Sequence, residues 1–215
     1  MDSQILAFEA KIGDNPCLNL GKNLYRTRSV MDQEEKKKLA DLIGRSLEGD
    51  NSAMEAIYLE YKRPLFNLAY RYTYDSVAAE DLLQDIFVKV FTHLGDIKRI
   101  DTFSGWIYRI ALNTCYSFLR EKRSKAQKTV PLSEIEEKVE VASYDSNLMG
   151  TKQPLDEAIN ALPPKLKSIF LLHDVQGFKH EEISQVLGCS VGTSKSQLFK
   201  ARLRIRNFLK IRKMS

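Results

Sequence analysis

Cysteine is scarce and badly spaced for chemistry. Cys17, Cys115 and Cys189 are odd in number, far apart and in no C-x-x-C pair, which argues against a disulfide framework and a Cys-based structural zinc site. Histidine is as sparse, and the one acid–base cluster, His180-Glu181-Glu182, lacks the second His at i+4 that a zinc-protease helix requires. Neither a metal, a cofactor nor a hydrolytic constellation is expected, so the chain does not read as an enzyme. Long apolar runs are missing too. The longest uncharged stretch, Ile183 to Ser194, falls well short of the roughly 18 apolar residues of a membrane span. Met1 to Ala10 carries Asp2 and Glu9 and no basic segment, unlike a secretory signal, and the protein is expected in the cytoplasm. With only 10 glycines and 6 prolines against 43% hydrophobic residues, collagen-like and low-complexity classes are excluded.

What is present is helical periodicity and an uneven charge. Of the net +5, the whole excess lies toward the C-terminus: no acid follows Glu182, whereas Lys195, Lys200, Arg202, Arg204, Arg206, Lys210, Arg212 and Lys213 do. Such a tail suits a polyanion, although cations also favour a helix C-terminus, and charge alone leaves both readings standing. Met54, Ile57, Tyr58, Tyr61, Leu65, Leu68, Ala69 and Tyr72 keep to one helical stripe, with Pro64 expected to kink it. Further helices are expected over about 77–94 and 103–123, then 155–162, 164–175, 180–187 and 191–210, separated by Pro163-Pro164, Gly177 and Gly188. No strand-like alternation interrupts them. The predicted architecture is all-α, two small helical domains joined by a flexible linker. The expected divisions are an N-terminal flexible extension over 1–38, a first domain over 39–124, the linker over 125–153 and a second domain over 154–215. Met31-Asp32-Gln33-Glu34-Glu35 would itself serve as an ordinary start, so translation from Met1 or from Met31 stays open.

The second domain carries a helix-turn-helix pattern. Ile183, Val186 and Leu187 form an apolar face, Gly188-Cys189-Ser190 makes the turn, and Ser190 can cap a helix burying Leu198, Ala201, Ile205 and Phe208. On its opposite face Lys195, Phe199, Arg202 and Arg206 recur at i, i+4, i+7 and i+11, beside Ser196 and Lys200. Two placements of Phe199 fit: exposed against a thymine methyl, or folded back into the core. In the first domain Trp106, Arg109, Asn113, Tyr116 and Arg120 line one side of the 103–123 helix, and aromatics interleaved with Arg and Asn suit unpaired bases. Trp106 as a core residue is the other reading. Asp81, Gln84, Asp85 and Lys89 form a polar face that, alone, is an ordinary solvated one.

Glu80-Asp81-Leu82-Leu83-Gln84-Asp85-Ile86-Phe87, followed by Phe103-Ser104-Gly105-Trp106-Ile107-Tyr108-Arg109-Ile110-Ala111-Leu112-Asn113, resembles region two of bacterial RNA polymerase sigma factors. Glu181-Glu182-Ile183, Val191-Gly192-Thr193 and Ala201-Arg202 resemble region four. The missing middle domain points to the extracytoplasmic-function (ECF) group. By position, the resemblance implies that Asp81, Gln84 and Asp85 meet the clamp helices of the polymerase largest subunit. It assigns capture of the minus-ten element to Lys98, Arg99, Trp106, Tyr108, Arg109 and Asn113. Lys195, Ser196, Phe199 and Lys200 match positions facing the minus-thirty-five element, with Gly192 and Thr193 toward the backbone; because the later turns of a recognition helix pass over the backbone, Arg202 and Arg206 are expected on phosphates. Ser194 stands where an apolar Val is usual, which is expected to weaken the helix core, and Gln197 where Arg or Lys is usual. The implied function is a sigma factor that binds core polymerase, selects promoters and nucleates strand opening, with an anti-sigma factor as a further partner. A helix-turn-helix regulator with an N-terminal sensing domain is the alternative.

Overall fold

The computed structural model describes residues 33–129 and 154–213. The choice between Met1 and Met31, most of the N-terminal extension and the linker beyond Thr129 lie outside the described residues.

Eight α-helices form the described residues. α1 (Gln33–Leu47) begins inside the span expected to be a flexible extension: Glu34 and Glu35 in its first turn and Arg45 in its last complement the helix dipole, and Leu39 and Ile43 anchor it in the core. α2 (Asn51–Thr73) starts at Asp50, whose carboxylate accepts from the Ser52 and Ala53 amides, and it runs through Pro64 without ending. It stops at Tyr74, held at φ 57° in the left-handed region, which L side chains seldom adopt. α3 (Ser76–Thr92) is capped in the same way by Asp75 and buries Ala79, Leu82, Leu83, Ile86, Phe87 and Val90. Two 3-10 turns, Leu94–Asp96 and Ile100–Thr102, lead into α4 (Phe103–Thr129), which runs beyond Arg123 into the first residues assigned to the linker. Tyr61 and Phe103 meet edge to face at 5.4 Å where α2 crosses α4.

The C-terminal half holds α5 (Pro154–Asn160), α6 (Pro164–Phe170), α7 (His180–Leu187) and α8 (Val191–Lys213). The helix expected to continue to Val175 instead widens into a π turn over Leu171–Val175, with the Gln176 amide donating to the Leu171 carbonyl at 2.9 Å. One extra residue per turn re-aims the side chains that follow, and here it brings His173 and Asp174 to the helix-turn-helix.

The two halves do not stand apart. Leu39 to Cys115 on one side and Ala158 to Ile205 on the other contribute to one continuous apolar core. α4 lies so close to α7 that a Cβ on Gly105 would sit 3.3 Å from a Val186 methyl. No helix among the described residues is long and apolar enough to cross a membrane.

Candidate nucleic-acid and polymerase interfaces

On α3 the residues that face the core leave Asp81, Gln84 and Asp85 exposed. Sequence reasoning missed the two ends of this stripe. Val77 and Val88 are 67% and 66% exposed and share it with the three polar residues at i, i+4, i+7, i+8 and i+11. Val77 and Val88 give this polar face an apolar residue at each end, and the same 3.6-residue period would have found them.

The residues expected at single-stranded DNA are divided. Lys98, Arg99 and Asn113 are exposed, and Arg99 pairs with Asp101 at 2.6 Å, which holds the Asp101 carboxyl below its usual range. Trp106 is half-buried, its ring 5.9 Å from Phe103, so it is neither free nor fully core. Tyr108 is enclosed. It is 1% exposed, its hydroxyl donates to Gln176 Oε1 at 2.6 Å, and Phe178 meets its ring at 5.0 Å. The cause is that α4 has a second apolar face, Tyr108, Leu112 and Cys115, turned toward the C-terminal half. Arg109 lies at the edge of that seam, donates Nε to the Val186 carbonyl at 3.1 Å and stays exposed.

In the helix-turn-helix, α7 ends at Gly188 with φ 64°, and Ser190 Oγ accepts the Thr193 amide at 3.0 Å to start α8. Gly188→Ala forces an L side chain into that left-handed turn and should cost about 1–2 kcal/mol of stability, read from the urea midpoint. Leu198, Ala201 and Ile205 are buried. Gly192, Thr193, Lys195, Ser196, Phe199 and Lys200 face outward, and Phe199, 68% exposed, does not fold back.

Arg202 is held within the chain. It is forked onto Asp174, Nε at 2.9 Å and the terminal nitrogen at 2.7 Å. Burial alone would push the Asp174 carboxyl up, but the His173 and Arg202 hydrogen bonds and the Arg202 charge outweigh it, and the net direction is down. His173 stacks on His180 at 4.6 Å, and His180 Nδ1 bonds Ser194 Oγ at 2.9 Å. Ser194 is therefore a satisfied buried hydroxyl rather than a weak point in the core. Burial first, then electrostatic repulsion from His173, Lys195 and Arg202, push the His180 imidazole down. Asp174 was visible as the lone acid between Glu157 and Glu181, a hint that it answers a particular cation.

Two family models match in the order the motifs have along the chain: sigma-70 region 2 over residues 57–125 and sigma-70 region 4 over residues 152–205. The chain belongs to the sigma-70 family of RNA polymerase sigma factors, in its ECF group. Among its relatives, the RNA polymerase sigma-H factor of Pseudomonas aeruginosa is 28% identical over 80% of this chain and 93% of its own. The ECF RNA polymerase sigma-E factor of Escherichia coli is 29% identical over 77% and 91%. In fold, this sigma factor is similar to the sigma factor RpoE of Bartonella quintana, solved with the anti-sigma factor NepR. That match has a TM-score of 0.58 and 23% identity, over 73% of this chain and 96% of the other. CnrH, solved with the cytosolic domain of CnrY, gives a TM-score of 0.58 and 20% identity over 79% and 96%.

Proposed function

We propose that this sigma factor docks on core polymerase through the α3 stripe and reads an upstream duplex element with the exposed start of α8. The observation that carries the reading is Phe199. A phenyl ring 68% exposed among Lys195, Ser196 and Lys200, at the start of a helix launched from a tight turn, is an apolar surface held out for a partner. In a major groove it fits a thymine methyl, with Lys195 and Lys200 at guanine acceptors and Gly192 and Thr193 near phosphates. Lys98, Arg99, Trp106, Arg109 and Asn113 supply charge and stacking surface for the minus-ten strand, and Tyr108 would join them only once its seam is open. Val77 and Val88 extend the polymerase contact beyond Asp81, Gln84 and Asp85. An anti-sigma factor is a further proposed partner, supported by the family resemblance, and the cytoplasm is the proposed location because that is where core polymerase acts.

Capture of core polymerase by the full chain, followed by transcription from a promoter library, tests the reading against a regulator that binds DNA alone. Within α8 the roles separate by salt. Lys200→Ala should relax sequence preference and cost about 1–3 kcal/mol on the best duplex, whereas Arg206→Ala should weaken all duplexes alike and lower the salt slope by about one. An identical uniform loss for both variants removes base reading from this face.

A further inference from the structure

Directional contacts hold α8 to the rest of the helix-turn-helix at two points. In its first turn the buried Ser194 has its Oγ 2.9 Å from Nδ1 of His180, the first residue of α7. About two turns further on, Arg202 is forked onto Asp174 of the π turn. The two points are joined through His173, whose Nδ1 donates to Asp174 Oδ1 at 2.7 Å and whose ring lies against the His180 ring at 4.6 Å. A continuous path of polar and ring contacts therefore leaves α8 at Ser194, crosses α7 and the π turn, and returns to α8 at Arg202. Lys195, Ser196, Phe199 and Lys200, which the reading places at base edges, all lie between those two points and are exposed.

We infer that this path is a clamp that positions the recognition helix, so that Ser194, His180 and His173 set promoter specificity through the base-reading residues they hold. The inference rests on the proposed function and deepens it, adding residues that act on specificity from behind the DNA-facing surface. Two arguments support it. The first is direction. Leu198, Ala201 and Ile205 bury the inner face of α8, but apolar burial has no preferred angle and leaves a helix room to turn or slide slightly. Hydrogen bonds have preferred distances and angles and remove that room. Reading a base edge needs side chains held to within about 0.5 Å, which is the tolerance a clamp at both ends of the reading segment supplies. The second is the choice of residue. Ser194 stands where an apolar Val is usual, and a valine would bury apolar surface there without taking a hydroxyl out of water. What the hydroxyl adds is a fixed partner on α7 immediately before Lys195 and Ser196. His173 is the joint between the ends, since Asp174 fixes its ring and that ring backs His180.

The test uses the full chain bound to core polymerase and two promoter fragments that differ only in the upstream element, one the best duplex of a randomised library and one scrambled. Ser194→Ala should lower the ratio of their affinities about fivefold to tenfold, with binding of the scrambled fragment and of core polymerase unchanged. His180→Phe, which keeps a ring beside His173, should lower the ratio equally. The two together should lower it no further than either alone, because both cut the same link. His180→Asn puts an amide where Nδ1 now stands and should keep the ratio. A wild-type ratio in Ser194→Ala, an equal loss on both fragments, or a His180→Asn no better than His180→Phe overturns the inference. Lys200→Ala separates this from failure of the reading. If it loses preference while Ser194→Ala keeps it, the clamp alone is wrong. If the wild type does not discriminate, or Lys200→Ala discriminates as well as the wild type, base reading by α8 fails and the inference falls with it. Should Ser194→Ala not fold by circular dichroism, His180→Phe, altered at a half-buried position, decides by the same ratio.

Discussion

Asp85→Lys should abolish capture of core polymerase while leaving the fold intact. Asp85 is exposed on α3, where lysine is a good helix former, and the burial around it comes from Leu82, Leu83, Ile86 and Phe87. Unfolding free energy should move by no more than about 0.5 kcal/mol. Binding is different. An acid at a docking face is opposed by cations on its partner, and reversing the charge replaces attraction with repulsion worth several kcal/mol, roughly a hundredfold or more in affinity. Titration of labelled sigma factor with core polymerase, alongside circular dichroism and urea unfolding, separates the two effects. Undiminished affinity in the folded variant would take the α3 stripe out of the polymerase interface and leave its exposed valines without a partner.

The helices were legible because each buries one stripe, and the stripe has the period of the helix. Of the stripe read from spacing alone, Ile57, Tyr61, Leu65, Leu68, Ala69 and Tyr72 are buried, and Met54 and Tyr58 are half-buried. The recognition face was legible for the complementary reason, since Lys195, Ser196, Phe199 and Lys200 fall between the buried positions Ser194, Leu198 and Ala201. Closure of the two halves was not. Periodicity says that a residue has an apolar neighbour but not which one. Tyr72 and Ser168 meet across 96 positions of sequence, and Tyr108 and Gln176 across 68. On α4, Tyr108 follows Ile107 directly, so one helix carries two buried faces for two different halves. The Asp174–Arg202 pair escaped for a local reason: it depends on a π turn, and no simple residue pattern marks where an α-helix admits an extra residue.

That pair sets the other large expected effect. Asp174→Ala leaves Arg202 without the carboxylate that now holds it. Removing one partner of a buried pair costs about 3–5 kcal/mol, and because the Arg202 side chain is 33% exposed and can rehydrate, the lower end applies. The C-terminal half should unfold well below the wild-type urea midpoint and lose duplex binding with it. Acid acts through other groups first. A carboxyl held below its ordinary value contributes stability that is complete above that value and is lost only as pH falls through the lower folded one, so Asp174 stays ionised at pH 5. His180 is an imidazole pushed down, and the unfolded chain takes up its proton first as pH falls through about 6.5. Weakening as pH falls below about 6.5 should therefore be relieved by His180→Gln and not by changes at Asp174. Asp174→Leu combined with Arg202→Leu discriminates between two roles of the arginine. Replacing both partners with apolar side chains should return most of the stability. If duplex affinity returns with it and the salt slope is unchanged, Arg202 serves only to hold α8 against the π turn; a slope lower by about one shows that it also reaches a phosphate in the complex.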